Sequence, residues 1–361
     1  MSKILVIGGA GYIGSHTVKA LLDAGHDVSI FDNLSLGHVE AAETLGLTVE
    51  NQKLFVGDIL NSGEINDALA QGFDAVIHFA ARSLVGESVS DPLMYYENNI
   101  SGTVNLLEAM KNNDVTSLVF SSTAATYGNP DSAFTRDRKI PESHPLNPIN
   151  PYGRTKLAIE WALEDSASAW GLKSTALRYF NAAGNDANGV LGELHIPESH
   201  LIPIVFGAYY GRTKPNGEGM NLTVFGDDYD TPDGTCIRDY IHVEDLAAAH
   251  VVAAEENIAL NVGKFDVYNV GTGKGYSVLE VIKGIEAVIG KEIPFTMGER
   301  RAGDPDVLVA DSSKLVEHFG WQPKYTSIEE IVKSVHVWTE AIMKNNWKWP
   351  VLHRSLRKNG F

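Results

Sequence analysis

Short apolar runs alternate with segments of helical period through the first half of the chain, and this alternation predicts an α/β fold. Ile4 to Ile7 is apolar at every position, which predicts a strand buried on both faces. Ser15, Val18, Leu21 and Leu22 then recur at helical spacing. Further strands are predicted at V-S-I-F ending in Asp32, at 54–59, at D-A-V-I-H-F ending in Phe79, and at L-V-F leading into Ser121, Ser122 and Thr123. Helical segments fall between them at 39–45, 62–71 and 92–110, the last opened by Pro92. Such alternation implies right-handed crossovers and a parallel, doubly wound sheet.

Beyond Phe180 the pattern loosens. Gly, Pro and short apolar pieces run to about Ile237, after which a strand V-Y-N-V and a helix over Val278–Ile289 are predicted. The expected organisation is a first domain over 1–180, rejoined by about 237–270, and a smaller α/β domain over 181–361. The tail from Lys344 onward is basic and aromatic and receives no assignment.

Composition narrows the class. At 361 residues the chain can bury a large core without disulfides or metals, and no metal site is assigned. No apolar run approaches a membrane span, the N-terminus enters a strand with no signal-peptide pattern, and one cysteine, Cys236, suits a reducing cytoplasm. Cys236 reads as a small buried apolar residue, because nothing nearby in the sequence would depress its pKa. A net charge of −17 argues against a nucleic-acid partner, and an acidic ligand would have to be held by specific arginines.

Chemistry enters at the end of the first strand. Gly9-x-Gly11-x-x-Gly14 fits the general dinucleotide fingerprint, and Gly8-x-x-Gly11-x-x-Gly14 fits a close variant. A Gly-rich turn alone is only a tight turn, but here a strand precedes it and a helix follows. The free N–H groups of that helix can meet a diphosphate, provided no side chain holds it away. Asp32 closes the second strand about twenty residues on, where a carboxylate accepts ribose hydroxyls and repels a 2′-phosphate. The expected cofactor is therefore NAD, and the first domain is the dinucleotide-binding one. Asp58, after the third strand, lies where adenine could rest, or it merely caps a turn. His78 reads as a core residue.

Tyr152 and Lys156 stand four apart, on one face of a helix. A tyrosinate base at neutral pH needs a shift of roughly three units, about 4 kcal/mol. A cation near 4 Å contributes on the order of 4 kcal/mol at an effective dielectric of 20, so one lysine suffices in magnitude. The same pentapeptide recurs at Tyr210 to Lys214, but it runs into Pro215-Asn216-Gly217, a turn signal, whereas the first copy continues on a helical period. Thr123 ends the fifth strand, where its hydroxyl could orient a substrate alcohol. Ser121 and Ser122 compete for that role, with alternation aiming Ser121 and Thr123 the same way.

Taken together, G-G-A-G-Y-I-G-S-H, S-S-T-A-A-T-Y-G, P-Y-G-R-T-K, L-R-Y-F-N-A-A-G and R-D-Y-I-H-V-E-D-L resemble the UDP-glucose 4-epimerase family. These are extended short-chain dehydrogenase/reductases of Rossmann type. The likeness reaches from the first strand to about Trp321, and its last two motifs are the specific ones. It implies a tightly held NAD that takes a hydride from C4 of a UDP-hexose while Tyr152 removes the C4 hydroxyl proton. The 4-keto sugar then turns over and is reduced on its other face. By position, Gly8, Gly11, Tyr12, Ile13 and Gly14 would hold the diphosphate; Asp32 and Asn33 the adenosine ribose; and Asp58 and Ile59 would flank adenine. Phe79, Ala80, Ala81 and Asn98 would line the cofactor channel, Lys156 would also hold the nicotinamide ribose, and Phe180 would sit beside the ring. Asn181, His200, Leu201, Phe225, Arg238, Arg301, Asp304 and Leu308, with Thr123, would bind the UDP-sugar. The family also implies a homodimer, formed through the helices near Pro92 and Tyr152.

Several positions depart from a familiar form of the family. Arg82-Ser83 stands where members often have a lysine that contacts cofactor, Thr123 where many have serine, His200 where an asparagine is common and Leu308 where some members place a bulky tyrosine. The smaller Leu308 leaves room for N-acetylated sugars. Pentose nucleotides are a further alternative. A dehydratase or decarboxylase on the same scaffold is the rival chemistry, but dehydratases carry Asp-Glu where Ala124-Ala125 stand here. A non-catalytic NAD-sensing regulator is the rival class, and intact Tyr152, Lys156 and Thr123 argue against it.

Overall fold

The computed structural model describes residues 1–349 apart from 136, 215, 216, 302, 303 and 347; the end of the basic tail, 350–361, lies outside the described residues. Its main sheet is built from β1 (Lys3–Ile7), β2 (Asp27–Asp32), β3 (Leu54–Val56), β4 (Ala75–His78), β5 (Ser117–Thr123) and β6 (Lys173–Tyr179), with a late strand at Lys264–Val270. That late strand lies outside β6, followed in order by β5, β4, β1, β2 and β3, and every pairing is parallel. The order reverses between β1 and β4, which opens a crevice at the carboxyl ends of those two strands.

Alternation along β1 explains the two layers. Ile4 and Val6 point to one face, where they pack with Val18 and Leu21 of the helix Tyr12–Asp23 and with Ala249 and Ala253 of the helix Val243–Ala259. Leu5 and Ile7 point to the other face, among Ile65, Leu106, Met110, Ile159 and Leu163. All four β1 side chains are fully buried.

A second core gathers Ile202, Val205 and Phe206 of the helix Leu201–Tyr209, and Val281 and Ile285 of the helix Val278–Ile289. Ile328, Ile331 and Val335 of the helix Ile328–Lys344 complete it. Capping boxes at Ser277/Glu280 and Ser327/Glu330 fix where the last two helices begin. Beside this core lie β7 (Asn181–Ala183), β8 (Leu222–Phe225), β9 (Ile237–His242), β11 (Gly275–Ser277), β12 (Phe295–Gly298) and β13 (Val307–Leu308), while the late main-sheet strand Lys264–Val270 is β10.

Two expectations need correction. The strand Ile237–His242 does not return to the main sheet: β9 pairs with β7, β11 and β13, and the return is made by the helix Val243–Ala259 and β10. The helix expected over 92–110 is interrupted, with a π-helical turn at Tyr96–Ser101 before the α-helix Gly102–Asn112. The buried Asn99 explains the interruption. Its side chain accepts from Arg82 N at 2.8 Å and donates to Arg82 O and Thr155 Oγ1, both at 3.1 Å. Among the described residues no helix is long and apolar enough to cross a membrane.

Candidate active site

The glycine turn leaves β1 with Gly8 at φ +79°, its N–H donating to Phe31 O at 2.8 Å. A Cβ on Gly8 would stand 2.7 Å from Ala80 N, and one on Gly14 would stand 2.2 Å from Gly8 O, so the turn tolerates neither. A Cβ on Gly9 would instead meet the core side chain of Ile30, so Gly8, Gly11 and Gly14 form the frame around the crevice. No side chain caps the helix that starts at Tyr12, so its first N–H groups are left for a ligand. This cradle fits the diphosphate of a dinucleotide.

One hollow beside the turn collects Gly8, Gly11, Asp32, Asn33, Ile59, Phe79, Ala80, Ala81 and Asn98, and Arg82 lines it as well. The Asp32 carboxylate accepts from Ala10 N at 2.9 Å and Leu34 N at 2.8 Å, and burial pushes its pKa up. Asn33 Nδ2 donates to Asp58 at 2.9 Å, tying the ends of β2 and β3. Tyr12 and Ile13 point elsewhere: the Tyr12 hydroxyl donates to Gly184 O at 2.5 Å, and Ile13 packs on the core.

Tyr152 lies in the first turn of the helix Pro151–Trp170, where Asn150 caps by accepting from Gly153 N at 2.8 Å. Burial drives the Tyr152 phenol well above its ordinary pKa; Tyr179 adds to this, and a hydrogen bond with Thr123 works against it. One turn on, Lys156 Nζ donates to Ser121 O at 2.6 Å and sits 4.7 Å from the Phe120 ring centre. Burial lowers the Lys156 pKa to about 7, with Glu160 opposing.

The three hydroxyls at the end of β5 have separate partners. Ser121 Oγ is bonded to Tyr179 at 2.7 Å, Ser122 Oγ donates to Glu160 at 2.5 Å on the other face, and Thr123 Oγ1 accepts from Ala125 N at 3.1 Å while acting on the Tyr152 phenol. Behind them is a buried network that sequence reasoning missed. Glu160 pairs with Arg178 at 2.5 Å, Arg178 donates to the Tyr127 hydroxyl at 3.1 Å, and that hydroxyl donates to Asn269 at 2.7 Å. Glu160 follows Lys156 by one helical turn, which was the signal available.

The second pentapeptide is not helical: Gly211 has φ +72° and Lys214 N donates to Glu218 O at 2.7 Å. The Tyr210 hydroxyl meets His336 at 2.6 Å, on the helix Ile328–Lys344, away from the glycine turn. Pro215 and Asn216 lie outside the described residues.

Most of the expected sugar-nucleotide residues cluster around β8, β9 and β13. The Arg301 guanidinium lies 4.0 Å over the Phe225 ring. Arg238 donates to Pro305 O at 2.8 Å and approaches Asp304 to 3.5 Å. Leu308 pairs with Arg238 across the sheet and, like Phe180, packs against the buried cluster of Ala124, Tyr127 and Ile140. Asn181 opens β7 opposite Tyr240 of β9. His200 and Leu201 stand apart from these, at the start of the helix Leu201–Tyr209, where His200 is held by Glu193. Cys236 is buried, which pushes its thiol pKa up, and His78 is a core residue whose Nε2 meets Thr103 Oγ1 at 3.0 Å.

Residues 4–271 match the model of the NAD dependent epimerase/dehydratase family. The chain is 47% identical to UDP-glucose 4-epimerase of Lactobacillus helveticus, over 94% of this chain and 97% of the relative. It superposes with a TM-score of 0.84 on the crystal structure of UDP-glucose 4-epimerase from Brucella ovis in complex with NAD, at 45% identity over 94% of this chain and 99% of the other. For the UDP-Glc/GlcNAc 4-epimerase of Campylobacter jejuni the TM-score is 0.77, at 42% identity over 94% and 99%.

Proposed function

The chain belongs to the NAD dependent epimerase/dehydratase family, and on that premise we propose that Tyr152, Thr123 and Lys156 carry out the 4-epimerisation of a UDP-hexose, interconverting UDP-glucose and UDP-galactose. The observation that carries the assignment is that the buried Tyr152 phenol feels the Thr123 hydroxyl at the carboxyl end of β5, with the Lys156 ammonium one helical turn away on the same strand's Ser121 carbonyl. Bound NAD supplies the acceptor and donor of the C4 hydride and a positive charge beside the phenol, so the reaction has no net redox change.

Thr123 orients the C4 hydroxyl, Tyr152 takes its proton and later returns it, and Lys156 stabilises the phenolate. The N–H groups of the turn from Gly8 to Gly14 would hold the cofactor diphosphate, with Tyr12 and Ile13 contributing backbone only. Asp32 and Asn33 would hold the ribose, and Asp58 and Ile59 would flank adenine. Arg238 and Arg301 would bind the diphosphate of the sugar nucleotide, where charge-assisted bonds offset the chain's acidic field. Asn181, His200, Leu201, Phe225, Asp304 and Leu308 would shape the rest of that pocket. In domain terms, 1–180 with the returning strand β10 would bind the cofactor, and most of the later chain would bind the sugar nucleotide.

The test mixes purified protein with UDP-galactose, without added NAD. UDP-glucose is expected; failure to convert, despite NAD recovered from denatured protein, would favour a regulator without chemistry. We further place the enzyme in the cytoplasm, a reading supported by a single buried cysteine. We also pair it with a second copy, since Val89, Leu93, Val104 and Trp161 leave apolar surface exposed on the helices flanking 92 and 152. A sedimentation mass near 39 kDa would contradict the dimer.

A further inference from the structure

The segment joining β7 to the helix Leu201–Tyr209 brings Glu193, His195, Glu198 and His200 together, with one ligand atom from each inside a 4.8 Å span. Among the described residues this is the one such group of His, Cys, Asp and Glu. Both carboxylates are deeply buried, the Glu193 side chain 4% and the Glu198 side chain 1% exposed. Two buried carboxylates side by side, in a chain of net charge −17, need compensation.

Ion pairing with the two imidazoles can balance the charge, but it does not satisfy every buried polar atom. His195 Nδ1 lies 3.0 Å from Glu193 Oε1 and 3.8 Å from Glu198 Oε1, and His200 Nδ1 lies 2.5 and 3.5 Å from the same two atoms. Even so, Glu193 Oε1, His195 Nδ1 and Glu198 Oε2 are buried without a hydrogen-bond partner. Glu198 Oε1 is already engaged by Ser199 N at 2.8 Å and His200 N at 3.0 Å, which leaves Oε2 as the orphan. Atoms this close, three of them without a well-directed hydrogen bond, have the spacing of ligands around a shared cation. Bonds of about 2.0–2.1 Å in a tetrahedron give ligand–ligand edges of roughly 3.3–3.4 Å.

We infer that Glu193, His195, Glu198 and His200 form a binding site for one divalent transition-metal ion, zinc foremost. Two imidazoles and two carboxylates suit zinc in tetrahedral coordination, whereas calcium and magnesium select all-oxygen sets. Two carboxylates and two neutral imidazoles cancel the ion's double charge. The backbone around the site is already braced. Leu194 O accepts from His38 at 2.7 Å, Glu193 O from Trp338 Nε1 at 2.9 Å, and His195 O from Arg212 at 2.9 Å. With all four positions filled by protein the ion is structural. It pins the segment between Tyr12, whose ring meets His195 edge-on at 6.3 Å, and the start of the helix at Leu201. This site stands on its own geometry and does not depend on the epimerase reading.

The test uses the untagged full-length protein with its bound cofactor, treated with a chelator and then titrated with Zn2+ alone in a calorimeter. One equivalent per chain is expected. Co2+ in its place should give the visible absorption of a four-coordinate ion. Glu198→Gln and His195→Gln should each weaken zinc at least tenfold. Wild-type protein that takes up no stoichiometric zinc or cobalt would overturn the site, and so would unchanged affinity in both variants. Should a variant fail to fold, the chelated wild type decides alone: zinc should raise its melting temperature, and no shift would overturn the proposal.

Discussion

The Lys156 ammonium donates to the carbonyl oxygen of Ser121 at 2.6 Å, while Tyr152, one helical turn earlier, is buried in the first turn of the same helix. Burial acts on both groups in the direction of neutrality, raising the phenol and lowering the ammonium to about 7. The protein by itself therefore holds Tyr152 protonated, and its ionisation depends on nearby positive charge.

Lys156→Met tests that dependence. A cation near 4 Å would contribute on the order of three pKa units, so if Lys156 stabilises the phenolate in this way its removal should cut turnover at pH 7 about a thousandfold. Turnover in the variant should then rise about tenfold per pH unit through the alkaline range, as hydroxide replaces the lost charge in forming the phenolate. Turnover against pH, with NAD content measured on denatured protein, checks this. A variant that keeps the wild-type pH profile would remove Lys156 from the proton chemistry.

Behind the active site, Glu160 and Arg178 form a pair whose side chains are 2% and 4% exposed. Breaking a buried pair strands one charge, at a cost of about 3–5 kcal/mol, whereas replacing both partners with apolar residues is far milder. Glu160→Gln should therefore lose stability of that order in urea unfolding, and Glu160→Met with Arg178→Leu should recover much of it. Equal loss in the single and double variants would mean that packing, and not charge, is at stake.

Four buried histidines predict acid sensitivity. Burial lowers His78 and His242 to about 3 and His16 and His250 to about 4, with Lys156 also lowering His78 and His16 also lowering His242. Their folded values lie below the unfolded value near 6.5, so the unfolded chain binds protons that the native state refuses. Their contribution is complete above pH 6.5 and is lost as pH falls toward 4, with a combined slope that approaches about 5.5 kcal/mol per pH unit, about 1.4 for each. Urea unfolding at pH 7, 6 and 5 should show the decline, and His250→Leu should flatten it by about one proton. Stability that is flat from pH 7 to 5 would contradict it.

What could be read from the sequence was what short-range physics dictates. The apolar run Ile4 to Ile7 of β1, the glycines that admit no Cβ, and the helical face shared by Tyr152 and Lys156 are local patterns, legible from neighbours within a few residues. What escaped it was decided by distant partners. The π-helical turn answers Asn99's bonds to Arg82 and Thr155, and β9 chooses its sheet through β7, β11 and β13. The ammonium's partner is the carbonyl of Ser121, 35 residues away. The convergence of Glu193, His195, Glu198 and His200 lies in an irregular segment, where no periodicity shows which side chains share a face.

Leu308 offers the sharpest test of sugar selectivity. It stands on β13 opposite Arg238, is half-buried, and packs against the cluster of Ala124, Tyr127 and Ile140, as Phe180 does. A tyrosine there would put a ring where the leucine leaves space, and overfilling a packed pocket costs about 1–3 kcal/mol. If that space receives an N-acetyl group, Leu308→Tyr should lower kcat/KM for UDP-N-acetylglucosamine by roughly ten- to a hundredfold. UDP-galactose, which lacks the group, should stay within about threefold of wild type on the same reasoning. Parallel initial-rate measurements on the two substrates decide the matter: an equal fall for both would mean that the ring disturbs Arg238 and the shared UDP pocket, and no turnover of the N-acetylated substrate by the wild type would show that leucine at this position does not admit it.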